Sequence, residues 1–189
     1  MLLTLPLLVA KTFLLITGSS PLTQIIRKGK SSKPTVFGRL IKIQEAENQI
    51  VTHYEVCAER PADSTLLVKS IEIHQQQFGR TPHTLAADAA FYSEANEKAA
   101  HKMGVQRVAI PNRSTKSAER RLLQKKKWFR QAQAWRTGCE GRISVLKRRH
   151  GLNRCRYRGD NGMKRWVGLG VIADNLINIG RVLAVEAAK

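Results

Sequence analysis

The sequence predicts an α/β protein in which helices flank a mixed β-sheet and the C-terminal part is helical. Two observations predict this fold class. Short β-rich runs alternate with helical segments up to Pro111, and the pattern after Pro111 is helical to the end of the chain. The length of 189 residues is enough for one domain with a hydrophobic core.

The first predicted unit is a β-hairpin. Two β-rich runs, TVFGRLIKIQ (35–44) and IVTHYEVC (50–57), are separated by the polar stretch EAENQ. The small, polar and basic residues 19–34 before the hairpin are typical of a connector. We therefore predict a hairpin formed by residues 35–44 and 50–57.

Residues 1–20 form an atypical apolar segment, MLLTLPLLVAKTFLLITGSS. Pro6 and Lys11 interrupt the apolar run, and no cation precedes it. A secretory signal needs a basic start, and a spanning helix needs about 20 apolar residues. We expect no membrane or export role for this segment, which is either a buried strand or a run outside the fold.

A helix is predicted next, in PADSTLLVKSIEIHQQQFG. Asp63 or Ser64 is suited to cap its start, and Gly79 to end it. The apolar periodicity predicts one face made of Leu66, Leu67, Ser70, Ile71 and His74.

Two buried strands and a helix follow. TLAA predicts a strand that ends just before Asp88, and VQRVAI (105–110) predicts another. Ser93 is suited to cap the helix between them, which Gly104 ends. A hairpin that leads into such a β-α-β unit is typical of an RNase H-like sheet from its second strand onward.

The remaining third of the chain is predicted to be helical. The pattern indicates a basic helix over about 117–134, a separate helix around Glu140, a glycine-bearing loop over about 151–162, and an apolar helix over about 163–185.

The charge is far from balanced, with 33 lysines and arginines against 14 acids and a net charge of +19. Residues 113–158 contain sixteen of these cations and two acids, Glu119 and Glu140. Such a block indicates a polyanion surface, although it could also serve solubility alone. The candidate phosphate-binding residues are Arg136, Arg142, Lys147, Arg148 and Arg149.

The three cysteines are widely spaced and match no zinc pattern with the histidines. We expect them to be buried thiols in a reducing compartment, the cytoplasm.

Asp88 and Glu140 are the candidate metal ligands. Asp88 follows a predicted strand, and ligand crevices of open α/β sheets lie beyond such strand ends; the alternative is a helix cap. On a helix, Arg136, Glu140 and Lys147 share one stripe, and the alternative for Glu140 is an Arg136 salt bridge. Two such carboxylates can hold Mg²⁺ against phosphate oxygens.

The string Arg136-x3-Glu140-x6-Lys147 resembles the Y-x2-R-x3-E-x6-K signature around the last acid of insertion-sequence DDE transposases. Gln133 stands at the tyrosine position, which is a departure. The segment ADAAFYS resembles the family segment around the second catalytic Asp, with Ala89-Ala90 in place of Arg-Gly. The segments KPTVFGRLIKI and GMKRWVGLGVIADNLINIGR are also similar to the family, from about residue 22 to the end.

The resemblance implies catalysis and Mg²⁺ or Mn²⁺ binding by Asp88 and Glu140, and double-stranded DNA at element ends as the substrate. The family has a first catalytic Asp on its opening strand, whereas this chain has no acid before Glu45. We therefore expect residues 21–189 to be a partial DDE transposase catalytic domain, truncated at its start and inactive alone. Association with itself or with an intact transposase is implied as possible.

The competing interpretation is a non-catalytic DNA-binding protein, for example an inhibitor of an intact transposase. A basic RNA-associated protein is a third interpretation. Both would bind nucleic acid in a salt-sensitive manner, but neither needs apposed carboxylates that bind a divalent ion.

Overall fold

The computed structural model describes residues 7–16, 24–27, 35–57 and 65–189. Of these, side chains are described for residues 38–57 and 65–189. Within this part the chain is a mixed α/β protein with six strands and five α-helices.

The six strands belong to one sheet with the order β2-β3-β1-β5-β6, and β4 pairs with β3. The strands are β1 (Leu7–Ile16), β2 (Gln24–Arg27), β3 (Thr35–Glu45), β4 (Val51–Val56), β5 (Thr84–Ala86) and β6 (Arg107–Ala109). The helices are α1 (Leu66–Phe78), α2 (Glu94–Lys102), α3 (Ala118–Lys125), α4 (Lys127–Arg149) and α5 (Gly159–Ala187).

The parallel part of the sheet consists of β1, β5 and β6. Leu8 of β1 is level with Leu85, and Leu85 is level with Val108 of β6. β2 is antiparallel to β3, with Ile25 opposite Phe37. The mixed sheet with flanking helices agrees with the predicted fold class.

By its contacts the chain divides into two compact units. The first comprises Met1–Lys11, Gln44–His53 and Pro61–Gly141, and the second comprises Thr12–Ile43, Tyr54–Arg60 and Arg142–Lys189. The division passes through β1, β3, β4 and α4, each of which has residues in both units.

The core of the first unit has two layers, one on each face of β5 and β6. Leu85 and Val108 pack with the apolar face of α1 and with α2, whereas Ala86 and Ala109 pack with α4. This alternation follows from the period of two along a strand. The small alanine side chains allow α4 to lie close to the strand ends.

In the second unit, buried apolar side chains of α5 include Met163, Val167 and Val171. Leu152, from the loop before α5, is fully buried and lies against Gly170. The absence of a side chain at Gly170 therefore gives Leu152 its place against the helix.

The predicted hairpin, α1, the two buried strands and the Ser93 cap are confirmed. The buried face of α1 consists of the five predicted residues, and Gly79 ends the helix with φ 66°. Ser93 Oγ accepts a hydrogen bond from the backbone N–H of Asn96 at 3.0 Å. The predicted Asp63 or Ser64 cap lies outside the described residues.

Two boundaries differ from the prediction. Residues 24–27, predicted as connector, form β2, whereas the strand β1 in the atypical apolar segment, beside β5, is one of the two predicted alternatives. The helix break expected between 134 and Glu140 occurs instead at Lys126, whose ψ of 142° is not helical. β2 has only four residues, too few for a periodicity signal, and its pairing with β3 decides its conformation.

The three cysteines are buried and form no disulfide, as predicted. Burial raises the pKa of the Cys155 thiol, so this thiol is protonated and unreactive near neutral pH.

Candidate functional site at the carboxyl end of the parallel strands

Asp88 lies two residues beyond the end of β5, at the carboxyl end of the parallel strands. Its Oδ1 accepts a hydrogen bond of 2.6 Å from the backbone N–H of Ala89, and so caps the single 3₁₀ turn Ala89–Phe91. Asp88 thus does serve as a cap, but of this turn and not of α2, which Ser93 caps. The Asp88 side chain is 46% exposed, so it remains accessible to ligands from solvent.

Helix α4 is fixed to the same strand ends by Gln133. The side-chain amide of Gln133 donates hydrogen bonds to the carbonyl of Ala87, at 3.2 Å, and to the carbonyl of Ala109. These carbonyls follow β5 and end β6, where no further strand residue continues the ladder. One side chain therefore joins both strand ends to α4.

The side-chain oxygen of Gln133, Oε1, also positions Arg136. It accepts a hydrogen bond of 3.0 Å from Arg136 Nε, three residues later on the same helix. The Arg136 side chain is 13% exposed. Its guanidinium is consequently held in a fixed orientation near the sheet rather than extended into solvent.

Arg136 lies between Asp88 and Glu140. Its Nη1 is 3.5 Å from Asp88 Oδ2 and 3.6 Å from Glu140 Oε1. The two carboxylate oxygens are therefore separated by no more than the sum of these distances. Both contacts are longer than a normal charged hydrogen bond, and Glu140 is 56% exposed, so each ion pair contributes little to stability.

The two carboxylates are close enough to share one hydrated divalent ion. Mg²⁺ and Mn²⁺ prefer carboxylate oxygens and retain waters that span the remaining distance. Such an ion would lie beside the Arg136 guanidinium, which contacts both carboxylates. Among residues 38–57 and 65–189, no group of three or more His, Cys, Asp or Glu is placed to hold a metal.

Three of the five predicted phosphate-binding residues line one cavity in the second unit. Lys147, Arg148 and Arg149, at the end of α4, line a cavity of about 840 Å³. Sequence reasoning did not assign the other cations there, which follow the turn at Gly151: Arg154 and Arg156. Their signal in the sequence was the continued run of arginines after the helix.

Trp166 also lines this cavity and was not predicted as a functional residue. Its ring packs against the Tyr157 ring with centroids 5.2 Å apart, and its Nε1 donates to the carbonyl of Gly151 at 3.3 Å. The Trp166 ring therefore gives a cationic cavity an aromatic surface, and its contact with Tyr157 supports its position.

Arg142 is placed differently from the other four cations of the predicted set. Its side chain is 7% exposed, and its Nη1 donates to Asp174 Oδ1 at 3.1 Å. His150 Nε2 and Asn178 Nδ2 also contact Asp174, at 3.3 Å and 3.1 Å. Arg142 is thus buried with a carboxylate partner, and its contact with DNA phosphate stays a prediction.

Residues 92–180 match the family model of the transposase DDE domain. This segment belongs to the transposase DDE domain family. The matched DDE segment contains Arg136, Glu140 and Lys147, whereas Asp88 lies just before it. No protein with a curated description matches the chain.

The DDE match indicates a transposase-family function and, in general, DNA as the partner. DDE domains typically use divalent metal ions, in agreement with the oxygen ligands at the strand end. The departure at Gln133 is inside the DDE segment, at the residue that fixes α4 to the sheet.

Proposed function

We propose that this chain is a cytoplasmic transposase-family protein that binds double-stranded DNA and holds one divalent ion, but does not cut DNA by itself. In this proposal residues 21–189 form the DDE domain, to whose sheet β1 adds a strand. The observation that carries the proposal is the placement of Asp88 and Glu140 on either side of Arg136 at the carboxyl end of β5.

Asp88 and Glu140 would hold the ion, Mg²⁺ or Mn²⁺, through one oxygen each. Asp88 Oδ1 is engaged by the Ala89 N–H, which leaves Oδ2 for the ion. A bound ion of this kind supplies charge stabilisation to the attacking and leaving oxygens of a phosphodiester. Gln133 and Arg136 act on position: Gln133 holds α4 against the strands, and Arg136 screens the two carboxylates from each other.

The missing third carboxylate supports the absence of cleavage. β1 runs parallel to β5, and its sequence LLVAKTFLLI contains no acid. The described strand β1 therefore offers no third carboxylate to a metal ion.

Phosphate binding rests on the cations around the cavity of the second unit. Lys147, Arg148 and Arg149 come from α4, and two further arginines come from the loop after it. Each phosphate that such a side chain neutralises releases condensed counterions from DNA. These contacts position the DNA phosphate backbone and carry no sequence information, so we expect the protein to show little preference for DNA sequence.

Metal binding is tested by Mn²⁺ titration, followed by electron paramagnetic resonance of free Mn²⁺. The wild-type chain should bind one ion, and Asp88→Asn and Glu140→Gln should each weaken binding at least about tenfold, since each removes one of two charged ligands. Glu119→Gln, an exposed acid on α3, is the matched control. Equal affinity of all four proteins would contradict the site.

DNA binding is tested by fluorescence anisotropy with duplexes of unrelated sequence over a range of salt concentrations. Affinity should fall steeply with salt. Replacing Lys147, Arg148 and Arg149 with Ala should reduce the slope of log affinity against log salt concentration, by an amount that corresponds to roughly two to three fewer phosphate contacts. A triple change of Lys125, Lys126 and Lys127, also exposed, is the comparison. A slope that responds only to the comparison variant would place the DNA surface elsewhere.

The competing candidate, a metal-independent DNA-binding protein, predicts the same salt dependence. It differs in the Mn²⁺ titration, where the wild-type chain and Glu140→Gln should then have the same affinity for Mn²⁺.

A further inference from the structure

Helix α5 has two apolar faces, and within the described part of the chain one of them is covered and the other is exposed. The inner face is buried, and it includes Val167, Val171 and the buried polar pair Asp174 and Asn178. The outer face carries five large apolar side chains that are between 44% and 65% exposed: Leu169, Ile172, Leu176, Ile179 and Leu183.

These five residues are spaced three, four, three and four positions apart. This alternation is the a and d pattern of a helix–helix seam, in which apolar side chains recur every 3.5 residues on average. A helix that only covers a globular core shows one apolar stripe, whereas α5 shows a second stripe facing away from its own core. The stripe extends over 169–183, about 21 Å of helix.

The outer stripe is better suited to a protein partner than to lipid. α5 is long and apolar enough to cross a membrane by length and composition. A spanning helix, however, needs about 20 consecutive apolar residues, and the exposed stripe is shorter. It is bounded by the exposed charged residues Arg165 and Glu186, and Arg181 is exposed beside its last turn.

The order of the side chains favours a second copy of the same helix as the partner. Read in either direction from Leu176, the stripe is isoleucine and then leucine. A two-fold symmetric interface requires a patch that is complementary to itself. An antiparallel pair centred on Leu176 brings Leu169 of one copy near Leu183 of the other, and Ile172 near Ile179.

The charges at the two ends of the stripe favour the antiparallel arrangement. Lys164 and Arg165 precede the stripe, whereas Glu186 follows it. An antiparallel pair places Arg165 of one copy beside Glu186 of the other, where their opposite charges attract. Lys189, a cation three residues after Glu186, partly offsets this attraction. A parallel pair would instead place Arg165 against Arg165 and Glu186 against Glu186, which is unfavourable.

We propose that two copies of this chain associate through an antiparallel pair of α5 helices, with Leu176 at the centre of the interface. The association joins the second units of the two copies. The net charge of +19 on each copy opposes association, so salt strengthens the dimer while it weakens DNA binding.

The first test is sedimentation equilibrium of the full chain in about 0.5 M NaCl, where repulsion between the copies is screened. The wild-type chain should be dimeric, and Ile172→Asp and Leu176→Asp should each weaken association at least about 30-fold. Leu122→Asp is the matched control, because Leu122 is 64% exposed but lies on α3. Circular dichroism establishes that each variant is folded.

A monomeric wild-type chain at all concentrations would overturn the proposal, as would a Leu176→Asp variant that dimerises like wild type. Dimerisation lost in Leu122→Asp but kept in Leu176→Asp would place the interface on α3 instead.

The second test is disulfide formation between engineered cysteines, which reports direction. Leu169→Cys should not cross-link with itself, but should cross-link when mixed with Leu183→Cys. The native cysteines are buried, so they give little background. Efficient self-cross-linking of Leu169→Cys would overturn the antiparallel arrangement, since only a parallel pair brings these residues together.

The third test uses vesicles of neutral phosphatidylcholine, which avoid attraction between a cationic chain and anionic lipid. The wild-type chain should not co-sediment with them. Co-sedimentation that Leu176→Asp abolishes would mean that lipid covers the stripe, and would overturn the proposal.

Discussion

The Gln133 side chain forms hydrogen bonds with three groups: the carbonyls of Ala87 and Ala109 and the guanidinium of Arg136. Its amide bonds two carbonyls that follow separate strands, and its oxygen orients Arg136. A tyrosine, the usual residue at this position of the signature, has one hydroxyl and could not make all three contacts. The residue that departs from the family pattern is therefore the one that attaches α4 to the sheet in this chain.

Replacing Gln133 with Ala should lower the free energy of unfolding by about 1–3 kcal/mol, because the carbonyls of Ala87 and Ala109 lose their side-chain donor. Urea denaturation measures this. Gln131→Ala, an exposed glutamine on the same helix, should change stability by less than about 0.5 kcal/mol. Equal effects of the two substitutions would show that the Gln133 bonds contribute nothing specific.

His74 gives the first unit a pH-dependent stability. Its side chain is buried against Phe78, with ring centroids 4.8 Å apart, and neither ring nitrogen has a hydrogen-bond partner. Burial, and secondarily the nearby Arg80 charge, lower the pKa of His74. The unfolded chain therefore binds a proton at higher pH than the folded chain does.

Stability should fall as the pH drops through the ordinary histidine pKa of about 6.5, because only the unfolded state gains the proton there. Above that pH both states are neutral and the contribution is constant. His74→Leu should reduce the loss of thermal stability between about pH 8 and about pH 5. His83→Leu, at an exposed position, should leave that loss unchanged; an unchanged loss in His74→Leu would contradict the assignment.

At the scale of elements, α5 shows how packing decides whether replacing a glycine with alanine stabilises or destabilises the protein. An added Cβ at Gly170 would lie 3.0 Å from Leu152 Cδ2 and Cγ, and Leu152 is fully buried. An added Cβ at Gly180 would have no atom within 4 Å. Both positions are helical, so the intrinsic preference for alanine is the same at each.

Gly170→Ala should destabilise the protein by about 1–2 kcal/mol, because overpacking against Leu152 exceeds the gain in helix propensity. Gly180→Ala should instead stabilise it by up to about 1 kcal/mol. Thermal denaturation distinguishes the two signs. A stabilising Gly170→Ala would mean that Leu152 can move without cost.

The continuity of α4 is a second property that its neighbours decide. Gly138 and Gly141 lie within it and weaken it as an isolated helix. Phe129, Ala132 and Cys139 of the same helix are buried against β5 and β6. Burial of this face offsets the low propensity, which is why one helix of 23 residues forms where the sequence pattern predicted two.

At the scale of the whole molecule, the central expectation is binding without cleavage. Incubated with Mn²⁺ and DNA that carries the matching element ends, the chain should retard the DNA but produce no nicks. Two carboxylates can hold an ion, but they cannot align the water and the phosphate as a full ligand set would. Denaturing gels with end-labelled strands make the measurement.

Metal-dependent nicks that Glu140→Ala abolishes would contradict this expectation. A substitute acid would then be required, and Glu45 and Glu47, at the turn of the β3–β4 hairpin, would be the first to replace. Nicks that persist in Glu140→Ala would indicate a contaminating nuclease.

The sequence by itself determined the alternation of strands and helices, the face that α1 buries and the cationic block after Pro111. These properties depend on local periodicity and composition, which a short window of residues contains. The Asp88 and Glu140 candidates also came from local patterns, one strand end and one helix stripe. Their proximity around Arg136 depends on how α4 packs on β5, which no local pattern encodes.

The tertiary structure alone decided the role of Gln133, the burial of Arg142 with Asp174, the pairing of β1 with β5 and the pairing of β2 with β3. Each depends on partners between 8 and 77 residues away in the sequence. Arg142 and Arg149 are both arginines on one helix, and nothing local separates them. The burial of one beside a carboxylate and the exposure of the other arise from packing, because packing fixes which side of a helix meets water.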